Sequence, residues 1–111
     1  MNTEKQSIYI CGPVTGTDDY IERFAKVEKE LQASGKWQVV NPVRCCIMMF
    51  EKPEKFEWKT LMLYVLPILS HCTHIYLMHN WQESHGARIE QLWAEKIGLI
   101  EIHEVDYEVV E

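Results

Sequence analysis

One acidic residue, Glu90, is a candidate reactive group because of the residues that precede it. The stretch Ser84-His85-Gly86-Ala87-Arg88-Ile89-Glu90 follows the apolar run Ile75–Met78 and opens an amphipathic segment. Ser84 is a residue type that caps helices, so we expect Glu90 in the first turns of a helix that follows a buried strand. In open α/β sheets, ligands bind outside the carboxyl ends of strands, and a helix N-terminus favours an ionised carboxylate. Glu90 is therefore a candidate nucleophile.

A second candidate feature is a glycine turn near the start of the chain. Ser7–Cys11 alternates and is rich in β-formers, and Gly12-Pro13-Val14-Thr15-Gly16 breaks that pattern. A strand, a glycine turn and a helix can offer backbone amides to a phosphate or a sugar. The turn is neither a Walker A sequence nor the three-glycine dinucleotide pattern. A turn that binds no ligand is the alternative interpretation.

Composition restricts the class of partner. The chain has 111 residues and a net charge of -6, which predicts a single domain over residues 1–111 and disfavours nucleic acid. We therefore expect a small-molecule ligand. The longest apolar run, Leu61–Leu69, is too short to cross a bilayer, and Met1–Ser7 lacks the apolar region of a signal peptide. These features predict a cytoplasmic protein that does not associate with membranes.

The cysteines do not form a spaced disulfide or metal-binding pattern. All four are expected to be free thiols: Cys11, Cys45, Cys46 and Cys72. The cluster His71-Cys72-Thr73-His74 contains no Cys-x-x-Cys pair, so it does not resemble a zinc site. We expect neither a metal nor a cofactor.

Hydrophobic periodicity predicts four strands and three helices that alternate along the chain. The predicted strands are Ser7–Cys11, Trp37–Asn41, Ile75–Met78 and Leu99–His103. The predicted helices run from Asp19 to about Gly35, from Pro53 to about Ser70, and from Ser84 to Ile97. Val43–Lys52 is expected to be an irregular apolar loop that could act as a lid, and Glu104–Glu111 alternates around Val105, Tyr107 and Val109. The alternation of strands and helices along the chain predicts an α/β fold with right-handed βαβ units and a parallel sheet.

Three details of these helices are also predicted. Asp19 and Glu22 match a capping box. Pro67 should kink its helix or end it early. In the last helix the residues expected to face the core are Ile89, Leu92 and Trp93.

Four short motifs, in this order, resemble the nucleoside 2-deoxyribosyltransferase-like superfamily. They are Ile8-Tyr9-Ile10-Cys11-Gly12-Pro13, Val40-Asn41-Pro42, Cys72-Thr73-His74-Ile75-Tyr76-Leu77, and Trp81-Gln82-Glu83-Ser84-His85-Gly86-Ala87-Arg88-Ile89-Glu90. The similarity is greatest to a group of small proteins within that superfamily that are labelled as a domain of unknown function. It covers Ser7 to about Ile100.

The resemblance implies a flavodoxin-like or Rossmann-like open parallel sheet of four to five strands, and chemistry at an N-glycosidic bond. Glu90, four residues after Gly86, would be the nucleophile that attacks the anomeric carbon, and Tyr9 would orient it. The implied substrate-binding residues are Gly12, Pro13, Ser84 and Gly86. Of these, Gly12 would line the sugar site and Ser84 would lie where a 5'-phosphate contact is conceivable. A covalent glycosyl-enzyme would then be resolved by water or by a second base with net retention.

The second acidic group that such an enzyme needs is missing from its expected position. That position falls near Tyr64 or Val65, and Lys59–Gln82 contains no Asp or Glu. Four histidines are open as substitutes: His71, His74, His79 and His85. Asp106 of a neighbouring subunit is another alternative.

Two functions therefore remain open. One is an enzyme that cleaves or transfers the N-glycosidic bond of a (deoxy)nucleoside, a nucleotide or a related sugar conjugate. The other is a non-catalytic nucleoside- or nucleotide-binding protein that has lost the acid. The segment Trp58–Leu69 has more apolar surface than one sheet face requires, so a homo-oligomer is expected.

Overall fold

The structure is a computed structural model that describes residues 6–14, 18–50 and 57–104, and these residues form a parallel sheet with helices on both faces. The strands are β1 (Gln6–Cys11), β2 (Trp37–Val40), β3 (His74–Leu77) and β4 (Ile100–His103). The helices are α1 (Tyr20–Gln32), α2 (Pro42–Phe50), α3 (Trp58–Ser70) and α4 (His85–Ile97), and Trp81–Glu83 forms a 3-10 turn. Each strand lies within one residue of its predicted bounds at either end.

The order of the strands across the sheet is β2-β1-β3-β4, and all neighbours are parallel. This order confirms the predicted α/β class and is consistent with a flavodoxin-like fold. From β1 the chain crosses to β2 on one side of it and then returns past β1 to form β3 on the other side. The carboxyl ends of β1 and β3 therefore flank the switch point where ligands bind in such folds. The part of the tail in which apolar and polar residues alternate, Val105–Val109, lies outside the described residues.

Strand β1 separates the core into two layers because its side chains alternate between the faces of the sheet. Ile8 and Ile10 pack in one layer with Phe24 of α1. Tyr9 and Cys11 pack in the other layer with residues of α3 and α4. Helix α2 contributes to both layers. The face of β1 that carries Tyr9 is thus the face over which α4 lies.

Helix α4 begins and ends as the sequence predicts. The Ser84 hydroxyl accepts a hydrogen bond from the Ala87 amide at 3.2 Å, and Gly98 takes the left-handed conformation at the C-cap. The predicted capping box at the start of α1 is wrong. Asp19 precedes that helix, but its side chain pairs with Arg23 at 3.0 Å instead of capping the backbone.

The expectation of an irregular loop over Val43–Lys52 is wrong for its described part, because helix α2 runs from Pro42 to Phe50. The side-chain oxygen of Asn41 accepts hydrogen bonds from the amides of Val43 at 3.0 Å and Arg44 at 3.3 Å. Pro42 occupies the first helical position, where its missing amide proton costs nothing. Asn41 and Pro42 therefore start a helix rather than only ending a strand.

The predictions for α3 and α4 need correction in part. Helix α3 runs through Pro67 to Ser70, so an early end at the proline is wrong and a kink there stays a prediction; the expected start of the helix at Pro53 lies outside the described residues. In α4, Leu92 and Trp93 are exposed rather than inward, and Ile89 is only partly buried. The residues that face the sheet are Ala87, Glu90 and Ala94. Small alanines let the helix approach the sheet closely, which turns the larger side chains outward.

The outer surface of the helices remains partly apolar. Leu63 on α3, for example, is 68% exposed. Exposed apolar surface of this kind is the reason for expecting a homo-oligomer, and the oligomeric state stays a prediction. None of the helices in the described part of the chain combines the length and apolarity that crossing a bilayer requires.

Candidate functional site

The two predicted catalytic residues meet in the core. Tyr9 in β1 is fully buried, Glu90 in α4 is 9% exposed, and the Tyr9 hydroxyl donates a hydrogen bond of 2.8 Å to Glu90 Oε2. The two residues are 81 positions apart in the sequence, so the contact depends on the packing of α4 over β1. A buried carboxyl held by a phenolic hydroxyl is a positioned group of the kind that acid-base or nucleophilic chemistry uses.

The protonation of Glu90 differs from the sequence expectation of an ionised carboxylate. Burial raises the pKa of Glu90 from 4.5 to about 7, although the hydrogen bond from Tyr9 and the nearby Cys11 thiol lower it. Loss of hydration therefore outweighs the effects of Tyr9, of Cys11 and of the helix terminus on this pKa. Burial, followed by the Glu90 charge, also raises the pKa of Tyr9 well above 10, so Tyr9 remains a hydrogen-bond donor at neutral pH.

Two thiols complete the surroundings of this pair. The Cys11 thiol donates to the Ala87 carbonyl at 3.4 Å, and Cys46 of α2 packs in the same core layer as Tyr9. Burial is the main cause that raises the pKa of Cys46 to about 11, and burial likewise raises that of Cys11. Both thiols are neutral at pH 7. All four cysteines are free, as predicted.

Gly86 and Ser84 have structural contacts of their own. The Ser84 hydroxyl caps α4, as described above. A Cβ atom on Gly86 would lie 2.9 Å from the indole nitrogen of Trp58 and 3.7 Å from the sulfur of Met62. Gly86 therefore permits the first turns of α3 and α4 to pack closely. Its place one turn before Glu90 agrees with a site position, and its role in substrate binding stays a prediction.

Gly12 and Pro13 lie just beyond the end of β1, at the switch point of the sheet. A Cβ atom on Gly12 would lie 2.5 Å from the Met78 sulfur, so glycine is needed where the ends of β1 and β3 approach. The Pro13 carbonyl accepts a hydrogen bond of 2.9 Å from Arg23. Pro13 also lines a cavity of about 340 Å³ on the α1 side of the sheet, and Glu90 does not line that cavity. Thr15 and Gly16 of the predicted turn lie outside the described residues.

The four candidate proton donors occupy different parts of the molecule. His71 and His74 lie near the amino end of β3, where the His74 ring packs edge-on against Trp37. His79 follows the carboxyl end of β3, and its amide donates to a carboxylate oxygen of Glu104. Of the four, His85 alone lies on α4, the helix that carries Glu90.

A fifth histidine was not considered from the sequence. His103 at the end of β4 lies 3.3 Å from Glu101, and Glu101 accepts a hydrogen bond from Gln91 of α4. The signal that could have found it is the spacing of two residues along a strand, which places Glu101 and His103 on one sheet face. The charge of Glu101 also contributes to the raised pKa of Cys11, and the register places Glu101 and His103 on the sheet face that carries Tyr9 and Cys11, so this group borders the Tyr9–Glu90 pair.

No second buried acid accompanies Glu90 among the described residues. The second acid was expected near position 64 or 65, and these positions hold Tyr64 and Val65, which have no carboxyl group. The Tyr64 ring packs against Phe50 with ring centroids 5.2 Å apart, and Val65 is buried in the core. The other buried acid in the described segments is Glu28, which belongs to α1 on the opposite face. Asp106 lies outside the described residues. Those residues also contain no group of three or more His, Cys, Asp or Glu side chains that could hold a metal ion.

Comparison with known proteins identifies a family for this chain. A family model described as a domain of unknown function, DUF4406, matches residues 6–103. Neither a curated protein nor a solved structure matches the chain. The matched range includes every strand and helix given above, together with Tyr9 and Glu90.

Proposed function

The chain belongs to the DUF4406 family of domains of unknown function, and from its site we propose that it cleaves or transfers the N-glycosidic bond of a (deoxy)nucleoside, a nucleotide or a related sugar conjugate. In this proposal Glu90 is the nucleophile and Tyr9 positions it. The observation that supports it best is the buried 2.8 Å hydrogen bond between the two residues. Their motifs and the strand order also support a relationship with the nucleoside 2-deoxyribosyltransferase-like superfamily.

The proposed reaction has two displacements at the anomeric carbon. In the first, the Glu90 carboxylate forms a C–O bond as the C–N bond breaks, and the bond's electron pair goes to the base, which takes up a proton from solvent water. In the second, water or another base attacks the glycosyl ester, gives up a proton to solvent and releases the Glu90 carboxylate. Each step inverts the carbon, so the product retains the original configuration.

The contacts of Glu90 suit the nucleophile role. Tyr9 binds Oε2, which leaves Oε1 outside that hydrogen bond, and the proposal assigns the attack on carbon to Oε1. Only the ionised form attacks, and the pKa of about 7 means that both forms are populated at neutral pH. Turnover should therefore rise as the pH increases through 7. The fully protonated Tyr9 would hold the carboxyl group in place at every stage.

A second candidate function is binding of a nucleoside or nucleotide without catalysis. It is favoured by the absence, among the described residues, of another buried carboxyl group beside Glu90 that could protonate the leaving base. In this alternative Glu90 and Tyr9 bind the sugar, and no covalent bond forms.

One experiment separates the two functions. The wild-type protein, Glu90→Gln and the control Glu95→Gln, whose residue is exposed on the same helix, are incubated with deoxyribonucleosides and their 5'-monophosphates. Free base is measured by chromatography, and glycosyl adducts by intact-protein mass spectrometry. We expect Glu90→Gln to reduce base release by at least about 10³-fold and to abolish the adduct, while Glu95→Gln retains both.

Equal base release by wild type and Glu90→Gln would contradict the nucleophile assignment. If the folded wild type binds a nucleotide and releases no base from any substrate, the binding function replaces the enzymatic one. Binding is measured as a rise in melting temperature with ligand concentration.

A further inference from the structure

A buried thiol at the end of β1 lies against the first turns of α4. Cys11 is the last residue of the strand and is fully buried, and its Sγ atom lies 3.4 Å from the carbonyl oxygen of Ala87. Ala87 precedes Glu90 by three residues, and both lie on the side of α4 that faces the sheet. Tyr9 and Cys11 are two positions apart on β1 and share a face of the sheet. Two neighbouring side chains of β1 therefore meet α4 within one helical turn, at Glu90 and at Ala87.

The Cys11 thiol has one hydrogen and two neighbouring acceptors. Burial, followed by the charge of Glu90, raises the pKa of Cys11 well above 9, so the thiol keeps its proton at neutral pH. It donates to the Ala87 carbonyl, and the Glu90 carboxyl group lies beside it as a second acceptor. A thiol has a single hydrogen to donate, so the two acceptors compete for it.

The outcome of that competition depends on the charge of Glu90. A hydrogen bond to an ionised acceptor is roughly twice as strong as one between neutral groups. The Ala87 carbonyl lies within α4, where the amide of Gln91 is its regular helical partner, so this carbonyl keeps a donor when the thiol turns away. The ionised carboxylate of Glu90 is buried and gains more from the same hydrogen.

We propose that Cys11 is a positioning residue for Glu90, whose thiol donates to the Ala87 carbonyl while Glu90 is protonated and to the Glu90 carboxylate once Glu90 is ionised. The proton of Glu90 passes to solvent in this change, and the thiol proton stays on sulfur. This inference rests on the proposed function, because it assigns Cys11 to the support of the nucleophile. During the reaction the thiol would return to Ala87 while the glycosyl ester exists and bind the carboxylate again when it is released.

Other titratable side chains border this layer of the core. They are Cys46 of α2, Tyr64 of α3, Glu101 of β4, and the exposed His85 and Arg88 of α4 itself, whereas β3 contributes apolar residues. Burial is the main cause that raises the pKa of Cys46 and of Tyr64, so neither is charged at neutral pH. The charge of Glu101 contributes to the raised pKa of Cys11 and thus helps the thiol to remain a donor. The pKa of Glu90 itself is lowered by the two β1 side chains.

The S–H stretching vibration gives a direct test, because it absorbs where other protein groups do not and its frequency falls as the thiol forms a stronger hydrogen bond. Infrared spectra of the wild-type protein are compared between pH 5 and pH 8.5, and the Cys11 band is assigned by its loss in Cys11→Ser. We expect the band to move to lower frequency over the pH range in which Glu90 loses its proton. In Glu90→Gln, where no carboxylate forms, the band should not move.

The second measurement is the proton affinity of Glu90, followed by carbon NMR of protein labelled at the glutamate carboxyl carbons. The Glu90 signal is the one that is absent from Glu90→Gln. Cys11→Ala removes the donor and should raise the proton affinity about 2- to 10-fold, which corresponds to the net contribution of one hydrogen bond. Cys11→Ser replaces the thiol by a stronger donor and should keep the affinity at or below that of wild type.

The chain offers a matched control in Cys72. Its thiol is also buried in the same core layer and also donates to a helix carbonyl, that of Ile68, at 3.6 Å. Cys72 precedes β3 at the amino edge of the sheet, whereas Cys11 ends β1 at the carboxyl edge. Cys72→Ala should therefore destabilise the fold to a similar extent and leave the proton affinity of Glu90 unchanged.

The inference is overturned if the Cys11 band keeps one frequency while the Glu90 carbon signal titrates, or if Cys11→Ala and Cys72→Ala change the proton affinity of Glu90 equally. Should Cys11→Ala fail to fold, as judged by circular dichroism, Cys11→Val removes the donor and fills its space. Base release by the wild type is measured separately. A band that moves as expected in a protein that releases no base would refute the enzymatic function and support the role of the thiol. Base release with a band that does not move would do the reverse.

Discussion

The protein buries two described glutamates on opposite sides of its sheet, and their partners differ. Glu28 on α1 is 6% exposed and accepts hydrogen bonds from Asn41 and Gln32, and it also forms an ion pair with Arg44. Glu90 on α4 accepts a hydrogen bond from Tyr9 and has the Cys11 thiol beside it, and both of these groups are neutral. A buried carboxylate that contacts one cation and two side-chain amides has interactions that replace its lost hydration. One with only neutral donors keeps a raised pKa, which is a common property of reactive groups.

The difference between these glutamates shows why burial alone does not identify a site. Glu28 links α1 to the start of α2, because its partner Asn41 also caps that helix. Its interactions explain why a charge is present in the core. The interactions of Glu90 do not neutralise its charge, so its burial costs stability that a structural role would not require.

The largest expected effect concerns how the stability of the protein depends on pH. The pKa of Glu90 is about 7 in the folded state, and that of an unburied glutamate, as in the unfolded state, is 4.5. Between pH 4.5 and pH 7 the folded state therefore binds more protons than the unfolded state. The free energy of unfolding should therefore fall by about 3 kcal/mol as the pH rises from 4.5 to 7. Urea denaturation at several pH values measures this slope, and Glu90→Gln should lack it. A wild type and variant with parallel pH profiles would contradict the raised pKa.

A smaller loss of stability is expected when the same change is made at Glu28. Glu28→Gln removes the charge that pairs with Arg44, and it leaves hydrogen-bond acceptor capacity for Asn41. Because Arg44 is half exposed, water replaces part of the lost interaction, and we expect a destabilisation of about 1–3 kcal/mol. Base release by the folded variant should equal that of wild type. A change in turnover would show that the two glutamates are not functionally distinct.

An effect of similar size, on rate rather than on stability, is expected from the hydroxyl group that binds Glu90. Tyr9→Phe removes a hydrogen bond that lowers the pKa of Glu90, so that pKa should move above 7. Turnover at pH 7 should fall about 10- to 100-fold, and the midpoint of the pH profile should move upward. Rates of base release between pH 5 and 9 give both quantities. A reduced rate with an unchanged midpoint would mean that Tyr9 acts through packing alone.

Much of the fold can be predicted from the sequence because its signals are local. Short β-rich runs alternate with amphipathic segments, and Ser84 and Gly98 mark the ends of α4 by their side-chain chemistry. Helix α2 was missed because Pro42 was interpreted only as the end of a strand. The combination of Asn41 and Pro42 is equally a helix start, and that distinction depends on the amides that Asn41 caps.

The candidate site was predictable in its residues and not in its environment. The resemblance and the spacing identified Glu90 and Tyr9. The burial of Glu90 was not evident, because hydrophobicity indicated that Leu92 and Trp93 would face inward, whereas the helix contacts the sheet through alanines. The pKa of Glu90 depends on that contact. The stacking of Trp58 on His85 was not evident either, because it joins two helices whose residues are 27 positions apart in the sequence.

The alternation of β1 also has a consequence for folding fidelity. Tyr9 faces α4, and its neighbours Ile8 and Ile10 face α1. If β1 paired with β3 one residue out of register, an isoleucine would replace the tyrosine opposite Glu90. Such a misfolded form would bury a carboxyl group without its phenolic donor, at a cost of about 1–3 kcal/mol for that group alone. The Tyr9–Glu90 hydrogen bond thus favours the correct register of β1. The contact that is proposed to perform the chemistry also makes the mispaired form less stable.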